Sequence, residues 1–84
     1  MTNQELQELQ LLNRFEKDSS WFHKHIEMLR KEGFEGKFVA IKDEKLITSG
    51  KEMDGVIKTV ESKGENPAYI FIEFVHPRGF TLFL

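Results

Sequence analysis

The residues able to do chemistry in this chain are few, and the question is whether any of them form a constellation. Ser49-Gly50-Lys51 falls between an apolar run and a helical pattern, a place where free backbone N–H groups can hold an anion. A phosphate loop also needs an earlier glycine and a hydroxyl after the lysine. Residues 45–47 hold no glycine, and Glu52 occupies the hydroxyl position. Ser49 and Glu52 instead have the spacing of a capping box. Lys37, after Gly36, is a second phosphate contact of the same kind, although glycine there also serves the passage from helix to strand. His23 and His25 are two residues apart, on opposite sides of a helix, whereas helical metal sites use an i, i+4 pair. The expectation is no metal and no cofactor. Glu73 interrupts an apolar strand and reads as partly exposed or lysine-paired, since a buried unpaired carboxylate is costly. His76-Pro77-Arg78-Gly79 sets a histidine and an arginine on one turn, a pair suited to a carboxylate or phosphate. No Ser-His-Asp or Cys-His order is present, so no catalytic residue is expected.

Bulk properties narrow the classes. The 84 residues carry a net charge of −2, with basic residues spread along the chain. Duplex nucleic acid calls for clustered Lys and Arg, so it is not an expected partner. There is no cysteine, which removes thiol chemistry and disulfides. No apolar run approaches the ~18 residues of a membrane span, and the first residues do not resemble a signal peptide. A single cytoplasmic domain over residues 1–84 is expected, with no membrane partner.

The elements that would position these residues follow from periodicity. Residues 3–17 are rich in Gln, Glu and Leu, with Leu6, Leu9, Leu12 and Phe15 near helical spacing. Asp18-Ser19-Ser20 supplies three N-cap residues, so a second helix is predicted from there, with Phe22, Ile26 and Leu29 on one face and Gly33 closing it. Phe38–Ile41 and Leu46–Thr48 read as a hairpin around Asp43-Glu44, whose primed turn requires positive φ. Met53, Val56, Ile57 and Val60 mark an amphipathic helix ended by Gly64 and Pro67. Tyr69–Val75 and Phe80–Leu84 read as strands. The order is α-α-β-β-α-β-β, an α+β fold with a three- or four-stranded mixed sheet backed by helices. Residues 1–18 form an accessory helix and 20–84 the core.

Gly36-Lys37-Phe38-Val39-Ala40-Ile41, Asp43 and Gly50-Lys51, preceded by Trp21 and a short helix, resemble a small prokaryotic family known as a domain of unknown function. Its members look like Gly-Lys-(Phe/Tyr)-Val-Ala-Ile, Asp-Gly, a strand, Gly-Lys and a helix. The resemblance covers residues 20–75 and departs at Glu44, where such members often carry Gly. It implies a hairpin–helix–strand unit and brings no activity or ligand.

Tyr69, Phe71, Phe74, Phe80, Leu82 and Phe83 put more apolar surface on two short strands than helices on one sheet face can hide. A non-enzymatic, homodimeric interaction module is therefore expected, with Tyr69, Phe71, Phe80, Leu82 and Phe83 at the interface. The first helix is a second docking element for another protein. The alternative is a small anion- or ligand-binding domain, or a minor enzyme, built on Lys37, Lys51, His76 and Arg78.

Overall fold

The computed structural model describes residues 2–77. Helix α1 spans Asn3–Lys24 and α2 Ile26–Lys31. Strands β1 (Phe38–Lys42) and β2 (Lys45–Gly50) form a hairpin, followed by α3 (Met53–Ser62), a 3-10 turn at Pro67–Tyr69 and β3 (Phe71–Phe74). The fold is α+β. The sheet order is β2-β1-β3, and both neighbours of β1 run antiparallel to it. The terminal strand expected over 80–84, with Arg78, Phe80, Leu82 and Phe83, lies outside the described residues.

Strand β1 holds the centre because successive side chains point to opposite faces and its residues are apolar on both. Val39 and Ile41 pack with Phe22, Leu29 and Val75 beneath α1 and α2. Ala40 packs with Val56, Val60 and Ile70 beneath α3. Helices thus cover both faces of the sheet. This corrects the expectation of one covered face, and much of the apolar strand surface is used internally. Phe71 contacts Phe22 with ring centroids 5.9 Å apart, and Phe38 contacts Phe74 at 5.1 Å.

Three boundaries differ from the sequence reading, each for a local reason. Helix α1 does not stop at Asp18-Ser19-Ser20. Asp18 is only 2% exposed, and its Oδ1 accepts a hydrogen bond from the Glu44 N–H at 2.7 Å. Continuing the helix keeps Phe15, Asp18 and Phe22 on one face, so the carboxylate reaches the hairpin instead of capping its own helix. The true N-cap lies earlier: Thr2 Oγ1 accepts from the Glu5 N–H and donates to the Glu5 carboxylate.

Ser49 likewise caps nothing. It pairs with Val39 as β2 runs on to Gly50, and α3 begins beyond Glu52 without a side-chain cap. At Gly50 the backbone comes close to α3: a Cβ there would lie 3.2 Å from Val56 Cγ2, so a larger residue needs Val56 to give way by a few tenths of an ångström. In the third case, the strand expected from Tyr69 starts at Phe71, because Asn66 accepts from the Ala68 N–H and starts a 3-10 turn at Pro67.

The hairpin turn has φ of 50° at Asp43 and 61° at Glu44, the paired positive values of a type I′ turn. A glutamate in the left-handed region costs roughly 1 kcal/mol. Glu44→Gly is therefore expected to raise the unfolding free energy by about 1 kcal/mol, read as a higher urea midpoint at unchanged m. Asp18→Ala removes a charged acceptor from the same turn, and chemical denaturation should show a loss of about 2 kcal/mol.

Candidate functional site

Of the sequence-derived ligand residues, Lys37, Lys51 and His76 flank one end of the sheet. Gly50 and Phe74 both stand opposite Phe38, so Lys37, Lys51 and His76 follow or precede the same sheet end. Lys51 is exposed on the turn into α3. His76 is half-buried, its ring edge-on to Phe74 at 4.9 Å, and its carbonyl accepts from Arg30 Nε at 2.9 Å. The backbone at this end is committed: the Gly36 N–H donates to the Val75 carbonyl, and the Val75 N–H donates to the Lys37 carbonyl. Near the start of α3 the side chains of Glu52 and Asp54 are acidic, which repels an anion. Arg78 lies outside the described residues.

His23 is exposed, while His25 Nδ1 lies 2.9 Å from the Trp21 carbonyl and its ring stacks on the Trp21 indole at 4.5 Å. Among the described residues no group of three His, Asp or Glu is placed to hold a metal ion. Glu73 is exposed and accepts from the Phe74 N–H. The half-buried Lys42–Glu65 ion pair, at 2.5 Å, ties the end of β1 to the segment after α3.

The unusual surface is elsewhere, on α1. Its carboxy-terminal half lies on the sheet through Asp18, Trp21 and Phe22. Its amino-terminal half projects past the hairpin turn, where Arg14 comes within 3.9 Å of Asp43, and gives the molecule a 46 Å long axis. Leu6, Leu9 and Leu12 on this overhang are 47%, 45% and 58% exposed.

Their direction is informative. At roughly 100° per residue, Leu9 stands about half a turn from Asp18, so the leucines face away from the sheet. The underside is polar instead: Gln4, Gln7, Gln10 and Arg14, with Leu11, form one wall of a cleft against Tyr69. A helix designed to fold onto its own sheet would have the reverse arrangement.

Residues 30–75 match the model of a family of unknown function, DUF5678. The chain belongs to this family. No curated protein and no solved structure matches the chain. In this member of DUF5678 the matched residues run from the end of α2 through the sheet and α3 to the residue after β3. The overhanging half of α1 lies outside them. No helix among the described residues is long and apolar enough to cross a membrane.

Sequence reasoning named the leucines but could not give their direction. It missed Asp18 because a helix-capping residue and a buried acceptor have the same identity. The signal was its position between Phe15 and Phe22 on one face. Of the proposed interface residues, Tyr69 is 51% exposed and Phe71 packs against the core. Phe71→Ala is expected to lower stability by about 2 kcal/mol. Tyr69→Ala should stay within about 0.5 kcal/mol, both read from urea titrations.

Proposed function

We propose that this DUF5678 member is a non-enzymatic protein-interaction module that works as a homo-oligomer, with the overhanging half of α1 as its docking surface. The observation that carries this is the outward row Leu6, Leu9 and Leu12, each about half exposed. Burial of such side chains contributes about 25 cal/mol per Å² of apolar surface. On the underside of the overhang Leu11 is the apolar side chain that faces the body, among Gln4, Gln7 and Gln10.

The sheet and α3 act as the scaffold that holds the helix. Asp18 and Phe22 belong to that scaffold, so the docking segment is shorter than the first eighteen residues. A row of three leucines buries less than the ~800 Å² per partner of a standard interface, and self-association is accordingly weak and concentration-dependent.

Sedimentation velocity on the full chain should show a dimer growing in as concentration rises to the high micromolar range. The triple variant Leu6→Glu, Leu9→Glu, Leu12→Glu should remain monomeric throughout, with an unchanged circular dichroism spectrum, because none of the three sites is buried. A wild-type chain that stays monomeric at high micromolar concentration overturns the homo-oligomeric reading.

A further inference from the structure

Beside the hairpin turn, α1 forms one wall of a second cleft, of about 440 Å³, a size within the range of small-molecule sites. Its aromatic part is already ordered. The His25 ring stacks on the Trp21 indole with centroids 4.5 Å apart, and the contact between His25 Nδ1 and the Trp21 carbonyl holds it there. Both rings are half-buried and both line the cleft. Toward the amino end of the helix follow Ser20, Lys17 and Asn13, all exposed and near one another on the helix surface. Glu44 closes the other side from the hairpin turn.

Glu44 is the residue of this cleft that folding alone explains least. Its φ of 61° lies in the left-handed region, which a glutamate occupies at a cost and a glycine does not. The turn is nevertheless pinned there, because the buried Asp18 carboxylate accepts the Glu44 N–H at 2.7 Å. Strained residues of this kind cluster at binding sites. Here the strain sets Glu44 at the level of Asp18 on α1, between Trp21 and Lys17 along the helix.

We propose that this cleft binds a ribonucleoside monophosphate. The order of side chains along α1 matches the three parts of such a molecule. The base stacks against the Trp21–His25 pair, a contact open to any base because each has a π-face. The ribose hydroxyls donate to the Glu44 carboxylate, a common partner of ribose, with the Ser20 hydroxyl close by. The phosphate lies at Lys17, a cation suited to it, where the Asn13 amide supplies further donors. Glu16 and Lys24 complete the lining, so the acidic and basic side chains balance. Such a balance takes one phosphate and disfavours the added charge of a triphosphate. None of the exposed leucines on the overhang that carry the docking row lines the cleft except through their neighbours, so binding here stands apart from the interaction-module reading.

Trp21 is the only tryptophan in the chain, so its indole N–H gives a single NMR signal to follow. In the full chain that signal should shift and saturate on titration with the monophosphates of adenosine, guanosine, cytidine or uridine. For the tightest of them, the free nucleoside and ribose 5-phosphate should each bind about tenfold more weakly, as expected for the loss of one charged contact or one stacked ring. Lys17→Ala should weaken the monophosphate about tenfold and leave the nucleoside unchanged. Glu44→Gly should weaken the monophosphate about tenfold while raising the urea midpoint, the exchange of stability for binding that a strained site residue implies. The proposal is overturned if none of these monophosphates shifts the indole signal at millimolar concentration. It is equally overturned if ribose 5-phosphate binds as tightly as the nucleotide, or if Glu44→Gly binds as well as the wild type.

Discussion

The burial of β1 on both faces is the constraint from which the rest of this structure follows. Val39, Ala40 and Ile41 are fully inaccessible, and consecutive strand residues point in opposite directions. A strand of this kind needs a partner on each edge and a cover on each face. The hairpin supplies one edge through β2. The chain then crosses under the sheet as α3 and returns on the other side of β1 as β3. Helices α1 and α2 cover the remaining face, with Phe22 and Leu29 set into the core. An exposed three-stranded sheet would have left its apolar residues in water; the two-sided arrangement removes most of them.

That arrangement is locked by polar contacts at its corners. The Asp18 carboxylate reaches from the middle of α1 to the backbone of the hairpin turn, and Lys42 meets Glu65 at the end of β1. At the opposite sheet end, backbone bonds join residues 36 and 37 to Val75, while Arg30 binds the His76 carbonyl. A hydrogen bond to a charged group is worth about 1.5–3 kcal/mol net, so a few such contacts are significant for a chain of this size. Several of the chemically suggestive residues also have structural duties here. Gly36, Gly50, Lys37 and His76 stand where the scaffold needs a turn, a close approach or a backbone partner.

What remains unsatisfied is the overhang of α1. Leu6, Leu9 and Leu12 point from the body, while Leu11 and the glutamines face it. The scaffold fixes the position and direction of this half-helix. Membership of DUF5678 rests on residues 30–75, which are the scaffold, so the family match and the proposed docking surface occupy different parts of the chain.

Periodicity alone determined the classes of element and most of their order. The apolar spacing of α3, the strand pair around Asp43-Glu44 and the glycine ends of α2 and α3 were legible because local backbone and side-chain preferences decide them. The positive φ at Glu44 was implied by the two-residue turn, even though glutamate disfavours it. Tertiary structure decided whatever depended on a distant partner. Asp18 and Ser49 have the chemistry of caps, yet one became a buried acceptor for a turn 26 residues away and the other a rung of the β-ladder. Whether the strands' apolar surface was covered depended on helices lying on both faces, and the outward direction of Leu9 depended on which side of α1 met the sheet. Such outcomes come from competition among long-range contacts, and a residue's identity and neighbours do not encode which contact wins.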